Sequence, residues 1–222
     1  MGIRRGSIST PIIADGLIFN MDAANRASYP RTGTTVTDTI GNVTGTLNGT
    51  SGGNNTPQWE NLNGGAFDFD GSDDRINLGT VSLNSNFSLS YWANHTTSSN
   101  YKQMFGGTNG FIQYTPQTSS TGKIRIYDGS SYVDVTSVIN DGNWFNIVHT
   151  YNGSTLKTYT NGSLTDSRSY SETVSDFRII GGGVWYYEGK IANTHIYNRP
   201  ISPTEVLHNY NALKSRFEWV EE

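Results

Sequence analysis

Two Asn-Gly pairs, Asn152-Gly153 and Asn161-Gly162, constrain what this chain can fold into more than any other feature. They punctuate the segment WFNIVHTYNGSTLKTYTNG, residues 144–162, between runs of β-patterned residues. Asn-Gly tolerates the two positive φ angles that a tight type I′ hairpin turn requires. Their spacing leaves room for one short strand between the turns. The segment therefore reads as strand, turn, strand, turn in antiparallel sheet.

The same cadence runs upstream. Asp128-Gly129 and Asp141-Gly142 extend the turn spacings to 13, 11 and 9 residues, as in a meander. Period-two alternation marks the other strands. Leu17, Phe19 and Met21 share one face, and Phe67 and Phe69 point inward while Asp68 and Asp70 point outward. Ile76 and Leu78 follow, then Phe87, Leu89 and Tyr91, with Trp92 on the opposite face of the same strand. An aromatic on each face predicts a central strand, covered on one side and lining a surface on the other. The polar stretch 23–58, broken by glycines, is too long for one connection and is read as short strands at 35–39 and 43–47. Ser202-Pro203-Thr204-Glu205 is a capping box with proline at the first helical position. Val206, Tyr210 and Leu213 recur at helical spacing, so a helix is predicted over about 203–214. The expected fold is all-β: a two-sheet antiparallel jelly-roll sandwich with one short C-terminal helix. One domain spans 15–217, after an N-terminal arm, 1–14, and before an acidic tail, 218–222. A propeller is disfavoured because no blade-length repeat is visible.

Composition narrows the function classes. The 222 residues include no cysteine, which excludes disulfides and thiolate metal sites. Only 15% of residues are charged and the net charge is −4, without a basic stripe, so nucleic acid is not an expected partner. No apolar run approaches the roughly 20 residues of a membrane span. The opening MGIRRGSISTPIIADG has two arginines but no apolar h-region, and is not read as a signal peptide. The sequons at Asn42 and Asn94 are accordingly read as accidents of an Asn/Thr-rich composition.

Five segments in order resemble the laminin-G-like, concanavalin A-like lectin/glucanase jelly-roll superfamily. They are FDFDGSDDRINLG (67–79), FSLSYWA (87–93), the 144–162 hairpins, IIGGG (179–183) and EGKIANTHIYNRPISPTEVLHNYNA (188–212). Two further segments, ADGLIFNMDAANRASYPRTGTT near the start and EVLHNYNALKSRF near the end, resemble concanavalin A-like proteins of tailed, especially marine, bacteriophages. That narrower resemblance implies a virion component: a capsid decoration, fibre or tail protein, located in the virion after synthesis in the host cytoplasm. It implies other virion proteins and further copies of the chain as partners, and glycans of a host or its surroundings as ligands.

Related jelly-roll glucanases carry Glu-x-Asp-x-x-Glu on one strand, and this chain has no such motif. Its only closely alternating acids are Asp68 and Asp70, which read as a solvent face and a turn. His95, His149, His195 and His208 show no metal-ligand spacing. No catalytic residue is assigned, and the expected protein is not an enzyme. No cofactor is required; Ca²⁺ is the one ion the resemblance brings in. Its family ligands are Asp and Asn oxygens at the sandwich rim, for which Asp38, Asn42, Asp70, Asp73 and Asp74 are the candidates. Asx turns account for the same residues without a metal. Binding is placed instead on aromatics at loop ends. Trp185, Tyr186 and Tyr187 follow three glycines, and Tyr101, Tyr114 and Tyr132 join them if one sheet face holds them all. The competing reading of the first three is rim packing against the C-terminal helix. Arg4, Arg5, Ile12 and Ile13 are assigned to a tether that orders on a partner. A virion protein is the expected function; a cellular lectin or a glycoside hydrolase with unfamiliar acids are the alternatives.

Overall fold

Alternating apolar and polar side chains fold this chain into two sheets facing across one core. The computed structural model describes residues 11–41, 43–49, 56–96, 101–108, 111–118, 121–127, 131–136, 139–171, 174–183 and 185–217. Arg4, Arg5, Asn42, the Asp128-Gly129 turn and the tail 218–222 lie outside the described residues. The strands are β1 (Leu17–Asp22), β2 (Thr35–Thr37), β3 (Thr44–Asn48), β4 (Gln58–Glu60), β5 (Ala66–Asp70), β6 (Arg75–Ser82) and β7 (Phe87–His95). They continue with β8 (Lys102–Gly106), β9 (Phe111–Thr118), β10 (Thr121–Tyr127), β11 (Tyr132–Asp134) and β12 (Ile139–Asn140). The last are β13 (Trp144–Tyr151), β14 (Thr155–Thr160), β15 (Ser163–Ser169), β16 (Asp176–Ile180) and β17 (Glu188–Tyr197). The helix α1 (Pro203–Leu213) follows, then a 3₁₀ turn, Lys214–Arg216.

An eight-stranded sheet runs β15-β14-β13-β7-β17-β5-β4, with β1 also on β17; a nine-stranded sheet runs β11-β10-β9-β8-β16-β6-β3-β2, with β12 also on β10. All these strand pairs are antiparallel. The jelly-roll sandwich expected from the pattern is the fold observed. Its core joins Phe19, Met21, Phe67, Phe69, Leu89, Tyr91 and Ile147 of the first sheet to Ile76, Phe105, Ile112, Tyr114 and Ile124 of the second. Each such side chain contributes roughly 1.5–3 kcal/mol by leaving water.

The two Asn-Gly turns differ. Asn161 (φ 50°) and Gly162 (φ 78°) both adopt the positive angles of a type I′ turn between β14 and β15. At Asn152-Gly153 only the glycine does so. Asn152 Oδ1 instead accepts the N–H groups of Ser154 (3.1 Å) and Thr155 (2.8 Å), an Asx turn in a longer loop. The type I′ expectation is therefore corrected at the first pair. The side-chain acceptor there provides a second way to reverse the chain.

The outer face of the eight-stranded sheet is not the open surface expected beside Trp92. That indole lies between the rings of Tyr210 (5.6 Å) and Phe217 (4.2 Å), both stacked on it. Helix α1 and the turn after it thus close this face. The capping box forms as predicted, Ser202 Oγ accepting from Glu205 N–H and Glu205 Oε2 from Ser202 N–H. Arg216 clamps the far end by a two-pronged pair with Asp22 (2.9 and 3.2 Å).

The described part of the N-terminal arm is docked on its own domain. Ile13 N–H donates to Asn209 Oδ1 (2.8 Å), and Tyr197 Oη donates to Ile13 carbonyl (3.1 Å). Ile13 packs beside Val148, Tyr159, Tyr197, Ile201 and Val206, and Ile12 is half-buried. The assignment of Ile13 to a tether that orders on a partner is corrected: packing beside Val206 of α1 gives it apolar cover within its own domain.

Candidate functional site

Strand register assembles a polar row across the outer face of the nine-stranded sheet. Ile124 and Ile126 of β10 enter the core, so Lys123, Arg125 and Tyr127 face outward. Arg125 pairs in register with Gln113 of β9 and with Asp134 of β11, and Gln113 pairs with Gln103 of β8. Gln103, Gln113, Arg125 and Asp134 therefore lie side by side. Gln113 is fully buried, and its Oε1 accepts from Arg125 Nε (3.2 Å). The guanidinium is gripped between two rings, 4.1 Å from the centre of Tyr101 and 3.9 Å from that of Tyr132. Tyr127 extends the stack, 4.8 Å from Tyr132.

The glycine run brings Trp185 to the other end of this row. Gly181 has φ +87°, and a Cβ there would run into the Phe69 ring; a Cβ on Gly183 would lie 2.8 Å from the Gln103 amide. Only glycine lets the chain approach this closely. Beyond the loop, Trp185 carbonyl accepts from Gln103 N–H (2.6 Å), which lays Trp185 alongside β8. Tyr101, Tyr132 and Trp185 are 46%, 42% and 42% exposed, and they are the exposed aromatics among the described residues.

The six aromatics named from the sequence thus separate. Tyr101 and Tyr132 meet on Arg125, and Trp185, exposed, borders the row through its carbonyl on Gln103 N–H. Tyr186 is half-buried, its Oη accepting from Arg75 Nη1 (3.4 Å), with that guanidinium 5.9 Å from its ring. Tyr114 and Tyr187 are corrected to core residues, both 0% exposed. Tyr114 alternates with outward Gln113 and Thr115, stacks on His95 at 3.4 Å and donates its hydroxyl to Asp141. Tyr187 turns inward onto Phe69 (6.0 Å) and donates to Asn94 carbonyl (3.1 Å). Burial pushes the hydroxyl pKa of both tyrosines up. Tyr186 lies against Arg75 and Tyr187 in the core, rather than in the packing on the C-terminal helix that was the competing expectation. Sequence reasoning missed Arg125, Gln103 and Gln113. The outward position of Arg125 was legible between Ile124 and Ile126, but its partners on neighbouring strands were not.

A second cluster sits at the β5–β6 turn. Asp70, Asp73 and Asp74 bring one carboxylate oxygen each within 4.8 Å of the others. Asp70 Oδ1 accepts the N–H groups of Ser72 (2.8 Å) and Asp73 (3.3 Å), and Asp74 Oδ2 accepts Asp70 N–H (3.1 Å). Asp74 is 2% exposed and its Oδ1 has no partner among the described residues. Burial first, and then Asp70, Asp73 and Asp68, raise its pKa to about 6. An orphaned carboxylate oxygen beside two more carboxylates fits a hard, oxygen-seeking cation such as Ca²⁺. The Lys102 ammonium, donating to Gly71 carbonyl at 3.2 Å, supplies positive charge at the same turn. Asp38 does not join this group; its Oδ1 accepts from Asn20 N–H (2.8 Å) and Ile40 N–H (2.9 Å).

The alternating acids are engaged in pairing and turn formation. Lys190 Nζ lies 3.0 Å from Asp68 and 3.0 Å from Glu60, a cation between two carboxylates. Asp70 belongs to the turn described above.

A family profile described as the concanavalin A-like lectin/glucanases superfamily matches residues 70–207. No curated protein sequence matches the chain significantly. Among solved structures, the chain is similar to domain 4 of AbnA, a GH43 extracellular arabinanase from Geobacillus stearothermophilus, in complex with arabinotriose. That likeness has a TM-score of 0.66 at 19% identity and covers 89% of this chain and 98% of that one. The binding domain of botulinum neurotoxin serotype D is similar at a TM-score of 0.63 and 17% identity, over 89% of this chain and 52% of that one. The binding domain of botulinum neurotoxin DC, in complex with rat synaptotagmin II, gives 0.61 at 16%, over 89% and 52%. This chain spans about half the length of either toxin domain. At these identities the likeness shows the fold.

Proposed function

Because this chain belongs to the concanavalin A-like lectin/glucanase superfamily, we propose that it is a non-catalytic binding module with an oligosaccharide-binding face on its nine-stranded sheet. One observation carries this reading: the exposed aromatics among the described residues, Tyr101, Tyr132 and Trp185, all border the Gln103–Gln113–Arg125 row. Flat rings suit the C–H faces of sugars, and hydroxyl and guanidinium donors suit their oxygens. From β11 to Trp185 the row covers four strand spacings of about 4.8 Å, roughly 19 Å, which is the scale of an oligosaccharide. The arabinotriose complex of the similar arabinanase domain supports this reading.

The setting in this proposal is the virion of a tailed bacteriophage, as a decoration, fibre or tail component assembled with other virion proteins and with copies of itself. Support comes from the two segments that resemble phage proteins, 14–35 and 205–217, which the Asp22–Arg216 pair joins into one unit. Ca²⁺ held by Asp70, Asp73 and Asp74 is proposed as a structural ion of the rim.

A glycan array on the chain, with Tyr101→Ala, Tyr132→Ala and Trp185→Ala, tests the binding face. Oligosaccharide binding is expected, with each substitution weakening it by about 1–2 kcal/mol. Binding that survives all three substitutions, or no binding, would refute the reading. Mass spectrometry of purified particles tests the setting: a chain absent from them is not a virion protein.

A further inference from the structure

We propose that this face selects anionic sugars, with Arg125 as the receptor for a uronate carboxylate; this rests on the oligosaccharide-binding reading above. Seven other cations among the described residues already face carboxylates. Lys102 is paired with Glu188, Lys123 with Asp134, Arg168 with Asp166, Arg178 with Asp176, Lys190 with Glu60 and Asp68, Arg199 with Asp15 and Glu205, and Arg216 with Asp22. Arg125 differs. Its Nε is spent on Gln113, whereas Nη1 and Nη2 have no hydrogen-bond or carboxylate partner among the described residues.

Asp134, the acid beside Arg125 in register, is turned to Lys123 Nζ at 3.7 Å. The two tyrosine rings hold the guanidinium plane in place. Guanidinium is weakly hydrated and tolerates such stacking, and its free fork matches the two oxygens of a carboxylate. Tyr101 and Tyr132, both exposed, are placed to cover the sugar ring that bears the acid. Gln113 is a positioning residue, buried and aligning Arg125 through Nε. A second guanidinium, Arg75 against Tyr186, lies on the same sheet, its Nη1 bonded to Asp73 carbonyl and Tyr186 Oη, with no salt-bridged carboxylate among the described residues.

The test compares an oligogalacturonate with its fully methyl-esterified form, which keeps the sugar and removes the charge. Isothermal titration on the full chain is expected to show the acid bound at least roughly tenfold tighter than the ester. That preference is expected to shrink between about 0.05 and 0.5 M salt. Arg125→Gln is expected to bring the acid down to the level of the ester. Arg125→Lys, which keeps charge and stem but loses the fork, is expected to fall between, and it serves as the probe should the glutamine variant not fold. Gln113→Leu is expected to lower the acid-to-ester ratio while the affinity for the ester stays. Equal binding of acid and ester would overturn the proposal and leave the oligosaccharide reading standing. So would binding of arabino-oligosaccharides with neither galacturonate bound. Binding of no sugar would overturn both.

Discussion

Lowering the pH from 7 to 5 is expected to remove about 6 kcal/mol of folding stability through three histidines that the fold keeps neutral. His95, His149 and His195 are 0%, 1% and 3% exposed. His95 is stacked on Tyr114, with neither ring nitrogen bonded among the described residues. His149 Nδ1 meets Thr158 Oγ1 at 3.0 Å, and its Nε2 is 3.5 Å from Tyr91 Oη. Burial lowers the imidazole pKa to about 3 for His95 and His149 and to about 4 for His195. An unfolded histidine takes up its proton near pH 6.5, so each folded pKa is depressed and stability falls as protons bind the unfolded chain first. Each histidine then loses about 2 kcal/mol between pH 7 and 5. Asp74 acts the other way. With a folded pKa of about 6 it binds a proton before its unfolded counterpart and returns about 1 kcal/mol over the same interval. The net loss of about 5 kcal/mol is comparable to the whole stability of many domains. Urea unfolding at pH 7, 6 and 5 measures it. His149→Asn is expected to reduce the slope by about a third. A stability that stays level from pH 7 to 5, or falls equally with all three histidines replaced, would refute the reasoning.

Millimolar Ca²⁺ is expected to raise the melting temperature, and Asp74→Asn to abolish the rise; no shift in the parent chain removes the metal site. Phe217→Ala is expected to cost about 3 kcal/mol by uncovering Trp92, read from urea midpoints and by an indole emission shifted to the red. Removing residues 1–13 is expected to lower the melting temperature even without a partner, since Ile13 is docked on α1. An unchanged melting curve would restore the free-tether reading. Asn161→Ala is expected to destabilise the chain more than Asn161→Gly, because alanine resists the positive φ at that turn.

Much of the sandwich was legible because its signals are local. Period-two runs such as Phe67–Asp70 and Lys123–Tyr127 say which side chains face the core, and the capping box marks where α1 starts. The site was legible only in part. Tyr101, Tyr132 and Trp185 were named from the sequence, but Tyr114 and Tyr187 were grouped with them because aromatic residues suit core and surface equally. Trp92 was read beside an open surface, because the layer covering it comes from a segment far along the chain.

The sequence alone determined most of the strands and the helix start, since each depends on neighbours a few residues apart, and the family, from segments in a fixed order. The Asn-Gly hairpins belong to that class, down to the positive φ angles at Asn161-Gly162. Only the tertiary structure decided that Gln103, Gln113, Arg125 and Asp134 form one row, and that Asn152 uses its side chain rather than a type I′ turn. Register between separate strands is set by packing both sheets against one core. A slip of one residue would send Arg125 inward and Ile124 out to water. The same packing left the nine-stranded sheet with its aromatic border exposed while α1 closed the face opposite.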